Sequence, residues 1–296
     1  MKIKEEKYSG LFKWIAYISV ALTTLLCLLP FLLIVSASLT RNEALVREGY
    51  RLWPQEFSLE GYRMIFKFPE RVLHAYGVTG LTTVVGTLLG LFFITMAGYV
   101  LQRKDFRYRN VFAFLIYFTT LFGGGLVPWY ILFTKYLKLT DTYAVLIFPG
   151  LMTPFLIILM KNFIRSAVPE EVNESAKIDG AGDFRIYSRI VLPLSLPGIA
   201  TVGLFLALGY WNDWLLSSLF INDTDMYQLQ YYLYNVINTV SFMASMGGNG
   251  VSLGGSIPTE SMKMAMAIIA TGPILLLYPF VQRYFVKGLT IGAVKG

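Results

Sequence analysis

The sequence predicts an all-α membrane protein with six transmembrane helices and both termini in the cytoplasm. Of its 296 residues, 55% are hydrophobic and only 15% are charged, against roughly 25% charged in soluble domains. A soluble globular protein is therefore excluded. Six stretches without Asp, Glu, Lys or Arg are long enough to cross a hydrocarbon core, which takes about 20 helical residues. Lys and Arg are unevenly shared between the connections, and this asymmetry orients the helices.

The six helices are expected to form a single transmembrane domain, 1–296, with spans at 14–38, 76–101, 111–134, 142–162, 194–220 and 263–284. The first stretch follows several lysines, as a secretory signal does. Its 27 residues, Trp14–Thr40, exceed the roughly 7–15 of a signal's apolar region. An uncleaved helix is expected, with cleavage near Ser36-Ala37-Ser38 as the alternative.

The orientation follows from the positive charges. With the N-terminus in the cytoplasm, the inner segments hold 16 of the 25 Lys and Arg residues and the outer segments hold 9. This bias favours cytoplasmic termini. The connection 165–193 is then cytoplasmic, and the connections 41–71 and 222–263 lie outside.

The sequence has few of the residues that catalysis, metal binding or cofactor binding would need. The one cysteine, Cys27, and one histidine, His74, rule out an intramolecular disulfide and are too few for a Cys/His metal site. The glycine-rich stretch Gly247–Gly255 lacks the Gly-Lys pair of a phosphate-binding loop. No catalytic residue, metal or bound cofactor is expected. The net charge of +7 is spread between apolar runs, which favours membrane lipid over nucleic acid as a partner.

The connection 165–193 predicts a helix, a tight turn and a second helix. Pro169 suits the first position of a helix, and Gly180 suits its end, where a left-handed backbone is common. Asp183 can cap a second helix, which must end near Pro193. A plain solvated connection between two spans is the alternative that these residues leave open.

The spacing of this connection resembles the "EAA" signature in the permease subunits of binding-protein-dependent ABC importers. Glu174-Ser175-Ala176 is followed by three residues and Gly180, then by nine residues and Ile190-x-Leu192-Pro193; Ser175 is the departure from the literal signature. The resemblance implies the type I importer permease fold and a coupling helix that docks into a separate ATPase. The residues implied at that contact are Glu174, Ser175, Ala176, Asp179, Gly180, Ile190, Leu192 and Pro193.

Five further segments resemble the carbohydrate branch of this family. The end of the chain, Tyr278–Gly296, is similar to the tail of the smaller permease of maltose-type importers, which reaches between the ATPases. Its implied contact residues are Gly288, Thr290, Gly292 and Lys295; a basic tail near lipid head groups is the alternative. Trp211-Asn212-Asp213-Trp214 resembles the branch's Trp-Asn-Glu-Phe element. The long outer connection, Gly123-Gly124-Gly125 and Pro258–Lys263 resemble the LplC/YtcP-like permeases, which are associated with complex oligosaccharides.

The resemblance implies a permease of the bacterial cytoplasmic membrane that carries carbohydrate, with oligosaccharide favoured. Its implied partners are a second permease that is similar but not identical, two ABC ATPases that hold ATP and Mg²⁺, and an extracellular solute-binding lipoprotein. An importer of another solute is the alternative within the family. An ion-coupled secondary carrier that uses Asp213 is the alternative from another class.

The candidate residues of the substrate pathway are polar or aromatic groups within apolar spans. Asp213 is a carboxylate at membrane depth, where a charge is costly and usually functional. The full set is Trp211, Asn212, Asp213, Trp214, Trp129 and Tyr130. Helix capping by Asp213, interfacial anchoring by the tryptophans and a packing kink at Gly123–Gly125 are the structural alternatives. Tyr227–Asn238 is expected to be an outer amphipathic segment, either a docking surface or an interfacial helix.

Overall fold

The computed structural model describes residues 9–247 and 258–275, and its regular structure in these ranges is helical. One antiparallel bridge pairs Thr40 with Phe57. The helices are α1 (Ser9–Ser38), α2 (Asn42–Glu48), α3 (Glu60–Ile65), α4 (Pro69–Gln102), α5 (Arg109–Leu121), α6 (Leu126–Ile131), α7 (Tyr143–Ile147), α8 (Pro154–Ala167), α9 (Glu170–Ile178), α10 (Asp183–Ile186), α11 (Leu192–Leu194), α12 (Leu196–Trp211), α13 (Leu215–Phe220), α14 (Leu229–Gly247) and α15 (259–275).

Three of these helices continue through turns of different pitch. A π turn, Leu132–Tyr136, follows α6, and a 3-10 turn, Phe148–Gly150, follows α7. A second π turn, Tyr187–Val191, joins α10 to α11. A further 3-10 turn, Thr224–Met226, precedes α14.

Two helices, α1 and α4, are each long and apolar enough to cross a membrane unaided. Three bent helix pairs pass the same test together, so the described residues hold up to five candidate spans. The expected span 263–284 begins within α15 and continues outside the described residues. The count of six helices and their orientation therefore stay predictions.

The expected spans at 111–134, 142–162 and 194–220 are each broken, the third at the Gly123–Gly125 interruption that the sequence indicates. The third bends by 110° between α5 and α6, where Gly125 adopts a φ of +85°. The fourth bends by 50° just before Pro154. At the start of the fifth, an 82° bend at Ser195, just before Pro197, separates Asp183–Leu194 from α12. Proline lacks a backbone N–H and favours the first turn of a new helix. The fifth breaks again between α12 and α13.

The chain divides into two compact units. Among the described residues, one unit holds 9–69 with 235–247 and 258–272, and the other holds 70–234 with 273–275. In the first unit, the start of α15 is tied to the outer connection: Asn42 Oδ1 accepts the backbone N–H of Glu260 at 2.8 Å, and Tyr50 donates to the Glu260 carboxylate at 2.8 Å. Gly61 lies against the Ser261 backbone, where an added Cβ would come within 2.9 Å.

The second unit packs α4 against α8 and α12 through glycines. A Cβ on Gly98 would lie 3.0 Å from the backbone nitrogen of Lys161, so α4 and α8 are in close contact there. The Tyr210 ring fits between Gly86 and Gly150, and its hydroxyl donates to the Ile147 carbonyl at 2.8 Å. These contacts fix the helices that hold the candidate site.

Candidate coupling surface and substrate cleft

Helix α9 ends in a Schellman motif, as the expected turn at Gly180 requires. Gly180 has a φ of +79°. The N–H of Ala181 donates to the Ala176 carbonyl at 2.9 Å, and the N–H of Gly180 donates to the Lys177 carbonyl at 3.0 Å. These bonds satisfy the last carbonyls of the helix. The predicted helix, turn and second helix are confirmed at this connection.

The turn is an exposed projection with apolar groups on both sides. Ile178 and Phe184 are 86% and 69% exposed, and a Cβ on Gly180 would meet nothing within 4 Å. Five of the eight residues implied at the ATPase contact are exposed on the chain: Glu174, Ser175, Asp179, Gly180 and Pro193.

Ala176 is the one implied contact residue that is buried: it is 8% exposed and belongs to the core of the second unit. Ile190 and Leu192 are half-buried and pack against the same core. These residues support the exposed turn from behind. The small side chain at position 176 lets α9 lie close to that core.

An ion-pair network attaches α9 and α10 to the connection between α4 and α5. Arg103 forms a bidentate pair with Asp105 and reaches Asp183 at 2.7 Å. Asp105 also accepts from Lys177 at 2.5 Å, and Lys104 pairs with Glu170 at the start of α9. Both ends of α9 are thereby held to one short connection.

The charges in this network shift each other's titration. Hydrogen bonds from Arg103, and then from Lys177, hold the pKa of the Asp105 carboxyl well below its usual range. The bond to Asp105 is the main cause that raises the pKa of Arg103. Asp105 therefore stays ionised, and keeps its pairs with Arg103 and Lys177, at a more acid pH than an ordinary carboxyl would.

An aromatic layer continues the attachment towards the membrane. The Arg103 guanidinium lies over the Tyr99 ring, 5.6 Å from its centroid. The Tyr99 and Tyr187 rings are 5.6 Å apart, and a hydrogen bond of 2.7 Å joins the Tyr187 hydroxyl to that of Thr95. The end of α4, from Thr95 onwards, and Arg103 just after it therefore contact α10 and the π turn that follows α10.

A cleft of about 490 Å³ lies beside α12, and its lining shares no residue with the α9 turn or its ion-pair network. It is mostly apolar, and Trp129, Thr153, Tyr210 and Asp213 are among the residues that line it. Concave, largely apolar surfaces with a few polar groups are typical of small-molecule sites. We call this surface the α12 cleft.

The structure separates the candidate pathway residues that the sequence places together. Asp213 lines the α12 cleft, but its Oδ1 also accepts the Leu216 N–H at 2.9 Å, so it caps α13. Trp129 lines the same cleft and contacts Phe220. Trp211 instead contacts Tyr76.

The remaining candidates also lie apart from the cleft lining. The Trp214 ring packs against Tyr234, and the Tyr130 ring stacks on Phe220 at 5.5 Å. Asn212 donates back to the Leu208 carbonyl. The structural alternative of capping thus applies to Asp213, in addition to its place in the cleft.

Sequence reasoning missed a buried polar cluster centred on Gln228. Its amide accepts from Ser217 and donates to Thr82, at 3.1 and 3.2 Å, and Thr79 accepts the Leu229 N–H at 2.7 Å. The cluster fixes the start of α14 against α4 and α13. Thr79 and Thr82 stand three residues apart, on one face of a helix, and that spacing was the available signal.

The roles of Arg103 and Asp105 were also missed, because their partners Asp183 and Lys177 lie more than 70 residues away in sequence. The residues implied at the tail contact, Gly288 to Lys295, lie outside the described residues.

The whole chain matches a known protein family. The family model described as "Binding-protein-dependent transport system inner membrane component" matches residues 6–291. The Bacillus subtilis "Polygalacturonan/rhamnogalacturonan transport system permease protein YtcP" is 39% identical over 286 residues, covering 97% of this chain and 99% of that protein. Protein LplC of Bacillus subtilis is 41% identical over 270 residues, covering 91% and 90%.

More distant relatives are similar over their whole length. The "Arabinooligosaccharides transport system permease protein AraQ" of Halalkalibacterium halodurans is 29% identical and covers 99% of this chain and 100% of that protein. A chain from the crystal structure of a bacterial ABC transporter, involved in the import of the acidic polysaccharide alginate, aligns with a TM-score of 0.79 and 27% identity. That alignment covers 96% of this chain and all of the other.

Proposed function

Because this chain belongs to the family of binding-protein-dependent transport system inner membrane components, we propose that it is the permease subunit through which an ATP-driven importer carries an oligosaccharide. The family is a transport component of the cytoplasmic membrane and not an enzyme, and the named relatives are sugar permeases. The match along residues 6–291 carries this conclusion.

The exposed turn after α9 is the surface that we assign to the ATPase. Ile178 and Phe184 are exposed apolar side chains on either side of Gly180, and full burial of such a side chain contributes about 1.5–3 kcal/mol. The turn is narrow at Gly180, which suits entry into a cleft. ATP-driven movement of the ATPase would act on α9 and, through Arg103 and Asp105, on α4.

The α12 cleft is the surface that we assign to the substrate. Trp129 supplies an aromatic face, which suits the apolar face of a sugar ring. Asp213 supplies a carboxylate that accepts hydrogen bonds from hydroxyls. Both line the cleft, and the polar groups in its apolar lining would orient a sugar.

The machine that we propose has the partners that the sequence resemblance implies. A second, non-identical permease completes the pathway, two ATPases hold ATP and Mg²⁺, and an extracellular lipoprotein delivers the sugar. The C-terminal tail, with Gly288, Thr290, Gly292 and Lys295, reaches between the ATPases. Relatives named for rhamnogalacturonan and arabino-oligosaccharide transport support an oligosaccharide as the cargo.

The test is uptake by the complete importer in vesicles, with binding protein loaded with oligogalacturonide or arabino-oligosaccharide. Asp213→Asn should lower ATP-dependent uptake by tenfold or more, on the order of one lost hydrogen bond to a charged group, while the complex still assembles. Trp129→Ala should also lower uptake, through the loss of the aromatic face, without loss of assembly. Asparagine keeps an oxygen that can cap α13.

The matched control is Asp223→Asn. Asp223 also caps a turn through its side chain, accepting the Asp225 N–H at 3.0 Å, but it is not among the residues that line the α12 cleft. Normal uptake in both cleft variants would reject the cleft as the pathway. Failure of the wild-type importer to carry either sugar would reject the oligosaccharide assignment.

A further inference from the structure

A basic pocket of about 330 Å³ lies where α4, α5, α8 and α9 meet, and it shares the Lys104–Glu170 ion pair with the network that holds α9. Four cations and one carboxylate are among its lining residues: Lys104, Arg109, Lys161, Arg165 and Glu170. We call it the basic pocket. Such an excess of positive charge in a concave surface favours an anionic ligand.

The pocket's own carboxylate neutralises only one of these cations. Glu170 pairs with Lys104, and Arg109 donates to the backbone carbonyl of Arg103 at 3.3 Å. In the ranges that the structure describes, no carboxylate lies within ion-pair distance of Lys161 or Arg165. These two residues are four apart on α8 and thus on one face, where like charges repel each other.

A buried donor also lies in the lining. Gln102 is a lining residue, and its Nε2 is buried and has no hydrogen-bond partner among the described residues. A buried amide without a partner is costly, so an acceptor at this position would stabilise the pocket. Phosphate oxygens accept from amides, ammonium and guanidinium groups alike.

The pocket's position on the helices indicates where such an acceptor would come from. Arg109 is the first residue of α5, and the next residues along this helix include the exposed apolar side chains of Val111, Phe112 and Phe114. The lining also includes apolar Leu101 and Val168. The pocket thus stands where an apolar helix surface gives way to charged residues, as at the head-group level of a bilayer.

We propose that the basic pocket binds the phosphate of an anionic phospholipid in the cytoplasmic leaflet. Basic pockets between transmembrane helices on the cytoplasmic side bind acidic head groups through this chemistry. Lys161, Arg165 and Gln102 supply the donors, and the exposed apolar surface of α5 accommodates the acyl chains. The site depends on neither the sugar nor the ATPase contact, so its failure would leave the proposed transport function standing.

The test is a binding titration of the purified importer in detergent with fluorescent phosphatidylglycerol. Each basic residue near an anionic lipid is worth about fivefold in affinity, so Lys161→Gln with Arg165→Gln should raise the Kd by about 30-fold. The exchange variant, Lys161→Arg with Arg165→Lys, keeps both charges and should bind like the wild type. An unchanged Kd in the double glutamine variant would overturn the proposal.

The matched control is Lys135→Gln with Lys138→Gln, which removes the same two charges at exposed positions outside the pocket; its Kd should stay at the wild-type value. Competition then separates the sources of phosphate. Unlabelled phosphatidylglycerol should displace the probe, while phosphatidylcholine and inorganic phosphate should not. Equal displacement by phosphatidylcholine would reject anion selectivity, and equal displacement by inorganic phosphate would reject a lipid ligand. If the double glutamine variant does not assemble, each single variant should raise the Kd by about fivefold, and an unchanged Kd in both would equally overturn the proposal.

Discussion

Replacing Gly180 with alanine should weaken the proposed coupling between the permease and the ATPase, and so lower uptake and stimulated ATP hydrolysis together. Gly180 adopts a φ of +79° in the turn that ends α9, and a left-handed backbone costs a residue with a Cβ roughly 1–2 kcal/mol. A Cβ there would touch nothing within 4 Å. In the free chain, the penalty for Gly180→Ala is therefore backbone strain alone, and this strain disfavours the native conformation of the turn.

The size of this conformational penalty sets the expected loss of activity. A penalty of about 1–2 kcal/mol lowers the population of the docking-competent turn by about 5- to 30-fold. Coupling energies between sites are typically about 1–3 kcal/mol, so the penalty is of the same order. We expect uptake, and the ATPase activity stimulated by loaded binding protein, to fall by about that factor in purified complexes.

Two companion variants separate backbone strain from obstruction. Gly182 is also exposed with open space around it, but its φ is −70°, so Gly182→Ala should retain near-normal coupling. Gly180→Asn places a larger side chain on a residue type that tolerates the left-handed region. Recovery in the asparagine variant relative to alanine indicates strain, whereas a further loss indicates obstruction in the ATPase cleft. Equal activity of Gly180→Ala and Gly182→Ala would refute the reasoning.

Two other predictions concern the ion-pair network and the topology. Arg103→Gln removes the half-buried guanidinium shared by the exposed carboxylates of Asp105 and Asp183. It should lower stimulated ATPase activity several-fold, since an ion pair to an exposed group contributes about 0–1 kcal/mol; Arg107→Gln in the same connection is the control. Adding Asp183→Asn to Arg103→Gln should cost little more, and fully additive losses would contradict a shared network. With Cys27→Ser as background, Ser188→Cys and Thr224→Cys should label from opposite sides of the membrane, and labelling of both from outside would reject cytoplasmic termini.

The turn after α9 could be predicted from sequence because its determinants are local. Pro169 sets the start of the helix, Gly180 sets its end, and the bonds between them span at most five residues. The breaks at Gly125 and before Pro197 follow from the same kind of rule. Their angles of 110° and 82° do not, because packing between distant helices sets the direction of each new segment.

The candidate pathway could not be predicted as a set, because neighbours in sequence diverge in space when a helix breaks. Trp211, Asp213 and Trp214 lie within four residues, yet α12 ends at Trp211 and α13 begins at Leu215. Their side chains therefore contact different helices. Trp129, which is far away in sequence, lines the same cleft as Asp213. The packing of α6 against Phe220 of α13 places Trp129 on the same cleft as Asp213.

The attachment of α9 rests on several weak contacts, and we expect these contacts together to transmit the movement of α9 that the proposed ATPase coupling requires. Its core contact at Ala176 and the ion pairs of Glu170 and Lys177 hold its middle and both ends. A displacement of α9 must therefore move the α4–α5 connection or break several contacts at once. Each exposed pair is worth about 0–1 kcal/mol, and several together reach the roughly 1–3 kcal/mol typical of coupling. Because Arg103 follows directly after α4, a force on this connection would act on the end of a 34-residue helix. We therefore expect the ion pairs, together with the core contact at Ala176, to carry the proposed movement of α9 to α4.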